Sequence, residues 1–267
     1  MVKFCKKGDL EGVKAALQSG ANVNTRDGRG VTGLIWAVRK NHNSVVELLL
    51  SSPNIDVNIV CSRGQSAVYG AVKHKNIEGL KLLLKVPDID VNIKDENGKS
   101  ALQQAMFFKV GFKLLLDMPT IDVNTVMNNG LCAVHAACLG ANIEGLELLL
   151  AHPNLTARTL NQTDRQTNGH TPVMRTVFET SIRLLHPSGC SCSACYIRKA
   201  VADENASNVT LEHILALLAA DPRVDFDATD KKGRSLEELA LPTWQGVFLC
   251  CILLTFSASY SSASPMF

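Results

Sequence analysis

Val45-Val46-Glu47-Leu48-Leu49-Leu50 returns as Gly79-Leu80-Lys81-Leu82-Leu83-Leu84, then as Gly111-Phe112-Lys113-Leu114-Leu115-Leu116 and Gly145-Leu146-Glu147-Leu148-Leu149-Leu150. The intervals are 34, 32 and 34 residues, a period that marks stacked supersecondary units. An Asp-Val-Asn follows each of the first three runs, at Asp56–Asn58, Asp90–Asn92 and Asp122–Asn124. Ahead of each run lies a Gly followed by small or hydroxyl and apolar residues: Gly30-Val31-Thr32-Gly33-Leu34, Gly64-Gln65-Ser66-Ala67-Val68, Gly98-Lys99-Ser100-Ala101-Leu102 and Gly130-Leu131-Cys132-Ala133-Val134. Each unit reads as a tight turn and two helices. Gly supplies the positive backbone angle of the turn, and Thr32, Ser66 or Ser100 caps the first helix. Ala37, Ala71, Ala105 and Ala137 let neighbouring units approach closely. The second helix carries more leucines than one unit can bury, so the units must stack, and the expected fold class is an all-α helix-turn-helix repeat solenoid with short hairpin loops.

Composition agrees with thin helical layers. Of 267 residues 46% are hydrophobic but only 5% aromatic, so the interior is built from Leu, Val, Ile and Ala. The net charge of +2 does not announce a nucleic-acid partner, although residues 1–100 carry 15 Lys/Arg against 10 Asp/Glu and the rest the opposite bias. Met1-Val2-Lys3-Phe4-Cys5-Lys6-Lys7-Gly8 has no apolar run behind its basic residues, so it does not read as a secretory signal. The nine cysteines are therefore expected as free thiols in a reducing, intracellular setting, cytoplasmic or nuclear. The sequons at Asn154, Asn161, Asn205 and Asn208 are expected to be chance matches.

The repeat unit resembles the ankyrin repeat, whose pattern is D-x-x-G-x-T-P-L-H-x-A. Local matches are Asp27-Gly28-Arg29-Gly30-Val31-Thr32, Val134-His135-Ala136-Ala137 and Gly169-His170-Thr171-Pro172-Val173, and the resemblance covers roughly residues 3–240. It implies an ankyrin-type solenoid with a partial or capping repeat at 1–24, repeats over 25–183, an insertion at 184–207, a last unit at 208–242 and an apolar tail at 243–267. Only Pro172 and His135 fill the family's Pro and His positions, so many inter-repeat hydrogen bonds of the family should be missing and stability modest. The Gly spacing stretches to 39 and then 64 residues beyond Gly130, which requires an insertion of roughly 30 residues.

Little in the chain suggests chemistry. No phosphate-cradling G-x-x-x-x-G-K-S/T, no G-x-S-x-G and no H-E-x-x-H occurs, and the seven histidines are scattered singly. Asp88-Ile89-Asp90-Val91-Asn92 imitates a calcium loop but has Ile93 and Lys99 where that loop needs Gly and Glu. The protein is not expected to be an enzyme, and no cofactor is expected. One exception stands in the insertion: His186, Cys190, Cys192 and Cys195 supply the four soft ligands a tetrahedral Zn²⁺ takes. Their spacing is unusual for zinc, so a plain surface loop with incidental thiols is the first reading, zinc the second and a redox-labile thiol cluster the third. The stretch from Leu239 to Phe267 carries no charge, and its apolar core, Val247–Phe256, is about half the length a bilayer needs. A helix packed on the last repeat is the first reading of this tail; a membrane anchor, and hence a membrane-tethered scaffold, is the alternative.

The expected function is a noncatalytic interaction module or adaptor that binds another protein. In ankyrin-like stacks the hairpin tips and first helices form a concave binding face. By register, the resemblance places Arg29, Val31, Arg39 and Lys40 there, followed by Arg63, Gln65, Lys73 and His74, then Lys99, Phe107 and Phe108; His170 is the corresponding position of the fifth repeat. Arg29, Arg39, Lys40, Arg63, Lys73 and Lys99 form a basic strip ending in two phenylalanines, the makings of a charged rim around an apolar centre and of an acidic protein partner. Any one charge could be ordinary solvated surface. Nucleic acid is the weaker partner, because the strip is short and lacks a stacking series.

Overall fold

The computed structural model describes residues 1–140, 142–165, 169–177 and 208–239. The zinc expectation at His186, Cys190, Cys192 and Cys195 and the tail 243–267 lie outside them. The chain divides into two compact units, Met1–Asn128 and Asn129–Phe267. Among the described residues regular structure is helical apart from isolated bridges such as Arg26–Thr32.

In the first unit, α1 (Val2–Lys7) and α2 (Leu10–Gln18) precede three helix pairs: α3 (Gly33–Arg39) with α4 (Asn43–Leu50), α5 (Ala67–Lys73) with α6 (Ile77–Leu84), and α7 (Ala101–Gln104), a 3₁₀ turn Ala105–Phe107 and α8 (Lys109–Leu116). The caps form where hydroxyls stand: Thr32 accepts from Ile35 N, Ser66 from Tyr69 N, and Ser100 closes a capping box with Gln103. Ala37, Ala71 and Ala105 are fully buried, as close helix packing requires. Of each leucine triplet only the middle member is fully buried (Leu49, Leu83, Leu115), together with the residue three before it (Val46, Leu80, Phe112). Those two lie on one helical stripe; the flanking leucines sit at its edges and stay half-exposed.

The turns share a backbone plan, but in the middle one Cys61 takes the aspartate's place and its N donates to Gln65 O at 3.1 Å. Asp27 N donates to Val31 O at 3.0 Å, and the Asp27 carboxylate accepts from Arg29 N and Val31 N; Asp95 repeats the arrangement with Asn97 and Lys99. Gly30, Gly64 and Gly98 hold φ of 71°, 71° and 74°, where a side chain would be strained. A backbone bond joins each tip to the next: Ser62 N to Arg29 O, Glu96 N to Arg63 O, Asn128 N to Asn97 O.

The asparagines Asn58 and Asn92 that close two of the Asp-Val-Asn runs, and Asn24 of Asn22-Val23-Asn24, do more than end a helix. Asn24 donates to Asn54 O and accepts from Asp56 N, Asn58 does so with Asp88 O and Asp90 N, and Asn92 with Thr120 O and Asp122 N. This side-chain ladder bridges one repeat to the next.

The second unit contains α9 (Ala133–Leu139), α10 (Ile143–Leu150), a short turn Ala157–Leu160, helical residues 172–177, the helix Asn208–Ala220 and the turn Leu236–Leu239. Here Asn161 donates to Arg223 O and accepts from Asp225 N, a pairing across 64 residues where Asn24 and Asp56 are 32 apart. His135 is fully buried, as a structural histidine should be. Its Nε2–H donates to His170 O at 3.2 Å, and its Nδ1 lies 3.4 Å from Cys132 N.

Candidate protein-binding face

The face lies in the first unit, across the tips at Arg29 and Arg63 and the C-terminal ends of α3 and α5. Between the first two full repeats opens a cleft of about 250 Å³, lined by Arg29, Val31 and Arg39 on one side and Arg63, Gln65, Lys73 and His74 on the other, with Cys61 and Ser62 between. The fold brings together four of the strip's predicted cations, Arg29, Arg39, Arg63 and Lys73, while Lys40 is exposed beside them. None of these five forms an ion pair with a carboxylate among the described residues.

Two arginines are held in place. The Trp36 ring, buried to 9% exposure, has Arg29 at 5.2 Å and Arg39 at 6.0 Å from its centroid, with Lys6 at 4.6 Å. Trp36 is anchored in turn by an Nε1–H bond of 2.8 Å to Asp27. Burial alone would raise the Asp27 carboxyl, but the indole N–H, the N–H groups of Val31 and Arg29 and the Arg29 charge hold it below its ordinary value. Arg39 also donates to Gln65 Oε1 at 3.0 Å and lies 3.6 Å from Cys61 Sγ. Burial opposes ionisation of the Cys61 thiol, yet the N–H groups of Arg63 and Gln65 and the Arg39 charge bring it below the usual thiol range. His74 is held below its ordinary pKa by partial burial and by Arg39, Lys73 and Lys40. Trp36 was not among the residues expected at this face; its place three residues before Arg39, on one helix face, was the available signal.

Several expectations need correction. Val31 and Gln65 are buried, at 3% and 9% exposure, so they form cleft wall and floor rather than outward contacts. Lys99 is half-buried with its ammonium donating to Gln104 at 2.8 Å; burial and Lys73 pull its pKa down against Asp95. Phe107 and Phe108 do not act as a pair. Phe107, at the position of Arg39 and Lys73, is 58% exposed, while Phe108 is half-buried, takes the N-cap place of α8 and leaves no room for a Cβ at Gly111. The cause is length: the third repeat lacks two residues of the loop that holds Asn41 or Lys75 at φ of 58° and 54°, so its first helix ends early in a 3₁₀ turn. In the second unit, His170 is fully buried rather than presented to a partner. It lies 3.7 Å from Asp230, but that carboxylate is occupied by its own turn, accepting from Lys232 N and Arg234 N as Asp27 and Asp95 do in theirs.

Among the described residues no group of His, Cys, Asp and Glu is placed to hold a metal, and no helix is long and apolar enough to cross a membrane. Cys5, Cys61, Cys132 and Cys138 are buried and free.

A family model of ankyrin repeats in three copies matches residues 1–95 and 70–159, more than half of the chain. Among curated proteins, osteoclast-stimulating factor 1 of Danio rerio is 38% identical over 58 residues, 22% of this chain and 27% of that protein. The Xenopus laevis protein of the same name is 38% identical over 53 residues, 20% of this chain and 25% of its own length. The matched stretch thus spans about a quarter of these relatives. The crystal structure of the ankyrin repeat domain of Bcl-3, described as a unique member of the IkappaB protein family, superposes with a TM-score of 0.68 over 93% of this chain and 96% of that one. At 18% identity that likeness concerns the fold alone.

Proposed function

Since the chain belongs to the ankyrin repeat family, whose repeats are protein–protein interaction modules, we propose that it is a noncatalytic adaptor that grips an acidic protein partner on the first unit's face. The observation that carries this reading is the set of cations without ion pairs, Arg29, Arg39, Lys40, Arg63 and Lys73, set beside an exposed Phe107. Charges left uncompensated on one face favour encounter with the opposite charge, and an exposed aromatic beside them provides an apolar anchor once water is excluded. Lys99 and Phe108 are secondary members, since one is tied to Gln104 and the other packs on Gly111.

The test is proximity labelling in the native cell followed by binding kinetics with each recovered protein. For a true partner, Phe107→Ala should speed dissociation, with a cost of at least about 2 kcal/mol if Phe107 is a central anchor. Its melting temperature should stay unchanged. Partners that bind at full strength after Phe107→Ala and Arg63→Glu together would overturn the assignment of this face. A second reading, a membrane-tethered scaffold, rests on the uncharged sequence from Leu239 to Phe267; failure of the full chain to float with liposomes would remove it.

A further inference from the structure

We propose that the cleft between the first two full repeats receives the phosphate of a phosphorylated serine or threonine in the partner, an assignment that rests on the protein-binding reading above. Arg29, Arg39, Arg63 and Lys73 surround one hollow of about 250 Å³, which accommodates a phosphate and the carbon that bears it. None of the four forms an ion pair with a carboxylate among the described residues, and partial burial together with the charges of Arg39, Lys73 and Lys40 holds the adjoining His74 below its ordinary pKa. A phosphate carries ~1.5 to 2 negative charges at neutral pH and three acceptor oxygens, which suits several donors at once better than a single carboxylate.

The site is also prearranged. Trp36 supports Arg29 and Arg39 at 5.2 and 6.0 Å, and the Gln65 carbonyl takes one Arg39 nitrogen at 3.0 Å. Only part of each fork is engaged, so the arginines are oriented without being neutralised, and less side-chain freedom is lost on binding.

Register decides against a nucleic acid. The tip positions run Arg29, Arg63, Asn97, and the helix-end positions run Arg39, Lys73, Phe107. Toward the third repeat the cations at these positions give way to Asn97 and Phe107, whereas a polyanion needs them repeated along its path. Beyond them stands the exposed Phe107, so the favoured occupant is a phosphorylated residue with an apolar side chain a few residues away in the same peptide.

The experiment passes the full chain over three immobilised peptide libraries with degenerate flanks, centred on phosphoserine, serine or glutamate. Vesicles containing phosphatidylinositol 4,5-bisphosphate and a single-stranded oligonucleotide are run in parallel. In a Trp244→Phe background, Trp36 is the sole tryptophan and its fluorescence reports on the cleft. The expected result is retention on phosphoserine at least tenfold above serine and glutamate, with a saturable change in Trp36 emission. Arg63→Gln and Lys73→Gln, both at exposed residues, should each reduce that preference several-fold without lowering the melting temperature. Equal retention on all three libraries overturns the proposal, as does stronger binding of vesicle or oligonucleotide that the same variants abolish. A cleft without phosphate preference, in a protein whose partner still responds to Phe107→Ala, removes this inference alone; loss of both responses removes the face as well.

Discussion

His135 shows what a single buried ring does for this fold. Burial first, and then the charges of Arg175 and His170, lower its pKa to about 4, against the opposing pull of the His170 carbonyl and of Asp164. Linkage sets the sign: above an unfolded value near 6.5 neither state binds the proton, whereas between 6.5 and 4 the unfolded chain binds it and the folded one does not. Stability of the second unit should therefore fall by about 3 kcal/mol as pH drops through that window. His170, lowered mainly by burial, acts in the same direction. Amide exchange of α9 and α10 at pH 7 and pH 4.5 measures the loss, and His135→Gln should flatten the pH dependence. Asp230 belongs to a lower window. Its burial raises the carboxyl, but the N–H and guanidinium of Arg234 and the Lys232 N–H prevail and hold it at about 2, so its contribution disappears only as pH falls from 3.8 through 2.

At the scale of the element, the second helix of each pair rests on a two-residue stripe. Leu83 in α6 is fully buried, and Leu83→Ala should cost roughly 2–5 kcal/mol. In a stack the loss should be largest in α6 and the adjoining α4 and α8, read by residue-resolved exchange; an effect spread evenly over the chain would contradict nearest-neighbour stacking. Capping in these helices is uneven. Asn76 joins α6 to its neighbours by donating to Val38 O at 3.0 Å and Asn43 Oδ1 at 2.9 Å while accepting from Gly79 N at 2.8 Å, whereas His42 and Phe108 at the same place make no capping bond. Asn76→Ala removes three bonds at a buried site and should cost about 1–3 kcal/mol, measured by denaturant unfolding.

For the molecule as a whole, charge on the first unit should govern how fast a partner arrives. Arg39→Glu with Lys40→Glu should slow association and flatten its dependence on salt, while dissociation changes less. Because Arg39 also supports the cleft through Gln65, the Lys40→Glu single variant separates steering from local damage. The zinc reading of His186, Cys190, Cys192 and Cys195 has its own test: if those four hold the metal, analysis of the purified chain returns about one equivalent, lost in Cys192→Ser. Metal-free protein with unchanged melting would leave an ordinary thiol-bearing segment.

Whatever depends on chain neighbours was readable in the order of residues alone. The period of the leucine runs, the glycine turns, the Thr32, Ser66 and Ser100 caps and the structural place of His135 all stem from backbone preferences acting over a few residues, and together they determined the ankyrin-type fold. The strip of cations was also visible, because equivalent positions of adjacent repeats fall side by side. The tertiary structure alone decided which of those residues face outward. Val31, Gln65 and His170 are buried, Gln65 beneath Arg39 of the preceding repeat and His170 beside Asp230 of a later turn, and Phe107 parts from Phe108 because two residues are missing from one loop. Trp36 becomes a plate for arginines only when Asp27 anchors it, and the Asn24, Asn58 and Asn92 ladder exists only between repeats about 30 residues apart in sequence. Burial, and the charge that burial leaves uncompensated, depend on contacts between distant parts of the chain, and local pattern carries no record of them.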